Sequence, residues 1–544
     1  MNVRCTIALI LLAASATIAG AQVPAGKSAS TIETGSIRGR VTNAASGKPL
    51  RRARVTIRTA SETAGSPPIT ANTNSRGEFE ALNVPAGPYS ISAARTGFVT
   101  IQYGQRRPRE RGVTVDVQAG RVTDGIDIAL PAGGVFAGQV TDELGEPFPG
   151  VRVDAMEMRY DGGQRRPFPA GVAITDDLGR FRMSGLQPGS YYVMAASNET
   201  WRNDKKETYG YASTYFPGVG AREAQLIPLA AGQERNDLNF TLVISRAARV
   251  SGRVLRPTGE PLAGGSVSLN YSYPGSVVMA SGGRSVRTEQ DGSFEFRDVP
   301  AAQYALSSGS GWLDVAVDGA DLRDLVLAQK IGSTVSGSVM TDDGGVPPFP
   351  SSGVRVTLVN VGDNQLPTVY VNAVSSDWSF KLSNLGGPFM FRIRGIPEGW
   401  TLGAVRLNDK DITDVPWDVP KDGKELSGLQ IVVTQKIGKV SGTVADSRGT
   451  ATSAATVVIF SDEPEWWIPG SRFIRTARPG ADGRFSIAGL PAGTYRAIAR
   501  DFVEEGQWED RKFLEEVRAD AVRFTLTDGG TETLSLQLPG VKQP

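Results

Sequence analysis

The residue types that most often carry catalysis are nearly missing from this chain. Among its 544 residues there is no histidine and a single cysteine, Cys5. Without imidazole no Ser-His-Asp or Cys-His set and no His-ligated zinc can be assembled, and the side chain that titrates near neutrality is absent. Cys5 lies in a segment that reads as an export leader, so the mature chain is expected to hold no disulfide, thiol nucleophile or cysteine-based metal site. Carboxylates, basic groups and aromatic rings remain. Asp291-Gly292, Asp482-Gly483 and Asp176-Asp177-Leu178-Gly179 offer oxygens to calcium, but no segment has the alternating Asp/Asn spacing of a calcium loop, and the pairs fall where turns are needed. No Asp/Glu pair stands out as a glycoside-hydrolysing couple. Residues 21–28 (AQVPAGKS) match a loose phosphate-loop pattern without the strand and helix that such a loop requires. No catalytic, metal or cofactor residue is therefore nominated.

Aromatic rings are the better candidates. Tyr209, Tyr211 and Tyr215 stand with Trp201 and Phe216 in one long segment, and Glu465-Trp466-Trp467 lies in a Pro-flanked loop, 463–470. Adjacent tryptophans cannot both point into one sheet face. Exposed rings beside carboxylates suit stacking on sugars or a protein hot spot. The alternative is that these rings cap their own domains or pack between neighbours. The basic run Arg106-Arg107-Pro108-Arg109-Glu110-Arg111 has no interleaved aromatics and reads as a solvated loop, with a docking contact as the alternative. Residues 346–350 (VPPFP) read as a turn or extended linker.

The elements that must position these residues follow from repeats. An apolar-x-Gly-x-Val pattern occurs five times, centred on Gly39, Gly138, Gly252, Gly337 and Gly442, each followed by a Gly-containing turn and an alternating run. This predicts a strand, a turn and a second strand forming a hairpin. In a second block Gly77, Gly179, Gly292 and Gly483 precede Phe at +2, Val or Leu at +7 and Tyr at +12 (Tyr89, Tyr191, Tyr304, Tyr495). The fourth copy has Trp378 in place of the glycine and loses the tyrosine at that spacing. Such spacing sets inward-facing core residues, since a one-residue slip would turn every side chain out. Residues 507–519 alone carry a helical apolar face, through Trp508, Phe513, Leu514 and Val517.

These patterns predict an all-β chain of five tandem antiparallel β-sandwiches. The expected limits are a signal peptide at 1–21, a linker at 22–34, and sandwiches at 35–131, 132–246, 247–331, 332–436 (divergent) and 437–544. Arg4, an apolar run and Ala19-Gly20-Ala21 mark the leader, too short to span a bilayer. Losing Arg4 balances 58 basic against 57 acidic groups, so nucleic acid and anionic membranes are not expected partners. Each copy is long enough to own a core, which predicts a chain of beads.

The blocks G-x-V, G-x-P-L and T-x-x-x-G-x-F-x4-[LV]-P-x-G-x-Y resemble the carboxypeptidase regulatory-like domain, a transthyretin-like sandwich related to immunoglobulin-like folds. The match is clearest in Gly138-Gln139-Val140 and in residues 175–191. The resemblance implies a scaffold that accompanies some zinc carboxypeptidases and recurs in bacterial exported proteins. The catalytic domain itself needs two histidines, which this chain lacks. The expected protein is non-catalytic and without cofactors, exported to the periplasm, outer membrane or medium, and has no transmembrane segment once mature. It would bind a protein or polysaccharide partner in the cell envelope. The alternative is a carbohydrate-binding protein of starch-binding-like fold.

Overall fold

The computed structural model describes residues 33–59, 67–107, 109–110, 112–273, 283–362, 370–480 and 482–539. The expected leader and the phosphate-loop look-alike lie outside them. Five β-sandwiches follow one another, and the described residues hold one α-helix, Arg511–Arg518. Its buried residues are Phe513, Leu514 and Val517, as the apolar face at 507–519 predicts.

The first sandwich shows the plan. Strand Thr34–Asn43 pairs antiparallel with Glu78–Pro85 and parallel with Val122–Thr123 and Ile128–Leu130. The facing sheet runs in the order Ile69–Asn72, Arg54–Thr59, Gly87–Ala94 and Ile101–Gln102, with Val115–Val117 also on Gly87–Ala94. The expected hairpin is corrected here. The turn after the first strand is tight, with Gly47 N–H donating to Asn43 O at 2.8 Å. Yet the strands on either side of it enter opposite sheets, so the turn crosses the core instead of folding back along one ladder.

The parallel pairing explains the repeated glycines. A Cβ on Gly39, Gly138, Gly252, Gly337 or Gly442 would fall well inside 3.0 Å of a carbonyl on the closing segment: Ile126 and Leu238, each between two short strands, and Leu325, Leu429 and Leu534, each on a strand. A side chain at any of the five would hold the two backbones apart. The second-block glycines Gly77, Gly179, Gly292 and Gly483 sit at φ between 66° and 76°, a left-handed turn that glycine enters without steric cost. In the fourth sandwich Trp378 holds that conformation at φ 66°, with its ring buried edge-on against Phe349 at 5.3 Å. The segment 346–350 is thus anchored through Phe349, which also packs on Trp400.

The block tyrosines are buried, and three of them donate back to a carbonyl four residues earlier: Tyr191 to Gln187, Tyr304 to Pro300 and Tyr495 to Pro491, at 2.6–3.0 Å. The fourth sandwich has Phe389 at this place, two residues after Gly387 as Tyr89 is after Gly87; a turn shorter by one residue hides it from fixed spacing.

Each sandwich holds a core of its own, and the second and third also share a seam. Met156, Met194 and Tyr215 of the second sandwich pack into one cluster with Val250, Tyr271, Tyr273 and Tyr304 of the third. Arg152, paired with Asp154 at 2.6 Å, lies in the same seam, and burial beside Tyr273 raises the Asp154 carboxyl despite that pair. Tyr271 donates to Asn198 across it at 3.0 Å. Sandwiches whose apolar faces are shared cannot move as independent beads.

Candidate functional site

Both aromatic insertions are structural additions to the repeat. In the second sandwich, Thr200–Arg202, Thr208–Tyr211 and Ile244–Arg246 form an extra three-stranded sheet. Its last strand is the connection to the third sandwich, so the insertion straddles that junction. Trp201 stacks on Tyr209 at 6.4 Å and tilts onto Tyr211 at 5.1 Å. Tyr209 is half-buried, with its hydroxyl 3.4 Å from Glu207. Tyr211 is buried and donates to Glu143 at 2.8 Å, and burial together with that carboxylate raises its phenol. Tyr215 is buried in the seam with the third sandwich, where desolvation raises it strongly. Of the three, only Tyr209 offers part of its ring to solvent.

The 463–470 loop divides its two tryptophans as the sequence requires. Trp467 is 4% exposed, donates its indole N–H to Ser461 O at 2.8 Å, and meets Phe460 edge-on at 5.6 Å. With Phe513, Leu514 and Val517 of the helix it forms a second, small core on the outer face of the fifth sandwich. Trp466 is half-buried and stacks on Phe473 at 4.9 Å; its indole N–H is held by Glu463 at 3.0 Å, with Glu465 exposed beside it. The Pro464–Trp466 turn thus sends one ring inward and leaves the other at the surface.

Asp462 ties this small core to the sandwich. It accepts from Arg496 at 2.6 Å, Arg523 at 2.9 Å and Arg518 at 3.4 Å, and these guanidinium groups hold its carboxyl below the usual range. On the other side of the insertion, Arg472 reaches Asp414 of the fourth sandwich at 2.5 Å, where Arg392 also pairs at 3.3 Å. All three groups are nearly enclosed, and burial pushes Arg392 down to about 10. A shared carboxylate between two guanidinium groups is a fixed joint, since removing it would strand buried positive charge.

The basic run 106–111 is a contact, contrary to its reading as a solvated loop. Arg106 donates to Ser453 at 2.9 Å and Arg107 pairs with Asp501 at 3.5 Å, both in the fifth sandwich. Glu110 is buried against Arg478 at 3.0 Å. Arg109 turns instead to Glu157 of the second sandwich, which Arg159 also holds at 2.8 Å. Pro108 and Arg111 lie outside the described residues. Sequence reasoning counted the charges but had no means to see the carboxylates waiting on other sandwiches, some of them hundreds of positions away.

The described surface also carries open clefts. One of about 920 Å³ lies between the first and fifth sandwiches, with Tyr103, Gln105, Thr114, Ser453 and Thr476 in its walls. Another, about 1040 Å³, lies on the third sandwich between Arg253, Arg284, Arg287, Glu295 and Asp324. The Asp-Gly sites cap turns: Asp176 accepts from Leu178 and Arg180 N–H, Asp291 from Ser293 and Asp482 from Arg484, at 2.8–3.1 Å. Among the described residues no three potential metal ligands converge, and no helix is long and apolar enough to cross a membrane.

No curated protein matches the chain. Among solved structures, a Bacillus anthracis TIE protein is 11% identical, with 74% of each chain covered and a TM-score of 0.16. A streptococcal ancillary pilin is 12% identical over 55% of this chain and 99% of its own, TM-score 0.18. The minor pilin GBS52 of Streptococcus agalactiae is 13% identical over 39% and 97%, TM-score 0.23. A family model does match, and it fits where the G-x-V strand and the Gly-x-Phe turn stand: residues 36–131, the first sandwich, match the model of the carboxypeptidase regulatory-like domain.

Proposed function

We propose that this chain is an exported, non-catalytic scaffold of five sandwiches, with limits at 35–131, 132–246, 247–331, 332–436 and 437–544, that binds a protein or polysaccharide of the cell envelope. One observation carries the reading. The residues that the repeats share serve core packing, turn geometry or close strand approach, and several departures from the repeat serve contacts between sandwiches. The regulatory-like family of the first sandwich supports the same view, because its motifs specify a framework and no reaction. Export is tested by the N-terminus of the protein recovered outside the cytoplasm, which should begin at Gln22. Affinity capture from envelope fractions, followed by binding of the purified candidate to the purified full chain, tests the scaffold role. A hydrolytic activity that co-purifies with the chain and disappears on changing one carboxylate would overturn it.

A second reading, carbohydrate binding, is favoured by two half-exposed stacked pairs, Trp466 on Phe473 and Tyr209 on Trp201. Rings held flat by a neighbour present one face at low entropic cost. Glu465 beside Trp466 adds hydrogen-bond acceptors. A glycan array read with Trp466→Ala and Tyr209→Ala as separate controls tests it. Trp467, Tyr211 and Tyr215 are unsuitable controls because their removal would damage packing first. No glycan retained by the intact chain would remove this reading.

A further inference from the structure

We propose that the fifth sandwich is a clasp that fastens the chain into a closed body, gripping the first, second and fourth sandwiches at once. This goes beyond the scaffold reading and does not depend on it.

The argument rests on where the repeats are broken. In four sandwiches the hairpin of the second sheet has strands of six residues followed by three or four, as in Arg54–Thr59 with Ile69–Asn72 or Thr456–Ser461 with Arg475–Ala477. In the second sandwich the same hairpin, Arg152–Asp161 with Gln164–Ile174, has ten and eleven residues. The first sandwich adds the charged loop 106–111. The fifth adds the segment 501–520, with its helix. Three unrelated additions, none needed to close a sandwich, meet at one place.

The contacts there are close and varied. The tip of the long hairpin touches the fifth sandwich backbone to backbone: a Cβ on Gly163 would fall inside 3.0 Å of Glu509 O, and one on Gly506 would meet Tyr160 at 3.1 Å. Both glycines have positive φ, at 75° and 83°. Arg165 on the hairpin pairs with Glu504 at 2.8 Å and lies over the Tyr160 ring at 5.0 Å. From the first sandwich, Arg107 pairs with Asp501 and covers Phe502 at 5.5 Å. Glu505 N–H donates to Arg109 O at 3.2 Å, and Arg478 donates to Gly104 O at 3.0 Å.

At the centre, Glu157 is fully enclosed, between Arg109 of the first sandwich and Arg159 of its own strand. Such a carboxylate is tolerated only while both partners stay. The first sandwich therefore has to remain seated for Glu157 to be satisfied. On its far side the fifth sandwich holds the fourth through Asp414. The second joins the third by a shared core. The chain accordingly returns to its start, with its last repeat touching its first two.

Small-angle scattering on the unmodified full chain tests closure. Five bodies of about 13 Å radius of gyration would give roughly 30 Å in a closed ring and roughly 50 Å end to end. A disulfide tests the seat itself. A Cβ on Gly162 would lie 3.6 Å from Pro469 Cβ, within the range a disulfide spans. With Cys5→Ser removing the only native thiol, the pair Gly162→Cys and Pro469→Cys should oxidise within the monomer and migrate faster without reductant. A radius near 50 Å overturns the proposal. So does a folded double variant that forms no cross-link, or only cross-links between molecules; should that variant not fold, scattering on the native chain decides alone.

Discussion

Adding one methyl group to Gly138 should do far more harm than adding one to Gly145, though both glycines are repeated and stand seven positions apart. Gly138 lies on the strand Gly134–Thr141, whose parallel neighbour brings Leu238 O close over its Cα. The Cβ of Gly138→Ala would fall well inside 3.0 Å of that oxygen, against backbone atoms that cannot rotate away. Restoring ordinary contact at 3.4 Å or more requires the closing segment to withdraw by more than about 1 Å. That movement would break the ladder at Val140 with Phe240 and disturb Leu238 and Phe240, both core residues. Overpacking of this kind costs about 1–3 kcal/mol, and each ladder bond lost adds about 1 kcal/mol. A total near 3–4 kcal/mol is expected. Gly145, at φ 81° with nothing within 4 Å of its missing Cβ, should cost only the left-handed penalty of about 1–2 kcal/mol. Hydrogen exchange on the full chain reads each cost locally: about 3 kcal/mol for Gly138→Ala corresponds to more than a hundredfold faster exchange in 134–141 and 238–242, against about tenfold for Gly145→Ala. Equal effects from Gly138→Ala and Gly145→Ala would refute the close-approach argument. The same test can be repeated at Gly39, Gly252, Gly337 and Gly442.

Trp378→Gly should destabilise the fourth sandwich even though it restores the residue that the other copies use. Relief at φ 66° returns about 1–2 kcal/mol, while losing a buried tryptophan costs about 3–5 kcal/mol; exchange in Ser379–Leu385 reports the sum. Trp467→Ala should cost about 3–5 kcal/mol and release the helix Arg511–Arg518, whereas Trp466→Ala should leave helix protection within about 1 kcal/mol of the original. Asp462 supplies an acid limit to the same insertion. Its folded carboxyl is held below the unfolded value of about 3.9, so its stabilisation is complete above that pH and is lost as pH falls through the folded value. Trp467 fluorescence should therefore hold steady from pH 7 to about 4 and change below it, and Asp462→Asn should abolish that step.

Much of each sandwich was legible in residue spacing. The five G-x-V strands, the Gly-x-Phe turns and the inward tyrosines repeat at fixed distances, because core position in a strand depends on parity within a few residues. The helix Arg511–Arg518 was visible in the apolar spacing of 507–519, although Trp508 of that pattern lies on a separate 3-10 turn, Gln507–Glu509. Where spacing changed by one, as at Phe389, the pattern failed although the structural position was kept. The role of Gly39 and its counterparts was also illegible, since the carbonyl each one accommodates comes from a closing segment more than seventy residues later. Of the aromatic candidates, Tyr209 and Trp466 keep part of their rings at the surface, while Tyr211, Tyr215 and Trp467 are buried. Composition marks a ring as available for burial or for binding; only the neighbours decide which.

By itself, then, the sequence determined the all-β class, the five copies and the want of imidazole chemistry. These are properties of residue type and of short-range periodicity. The tertiary structure decided that the basic run at 106–111 is a joint, that Trp467 belongs to a core, and that the last repeat touches the first. Those outcomes depend on pairs such as Arg109 with Glu157 and Arg478 with Glu110, in which each charge is costly to bury alone and tolerable only beside a partner far along the chain.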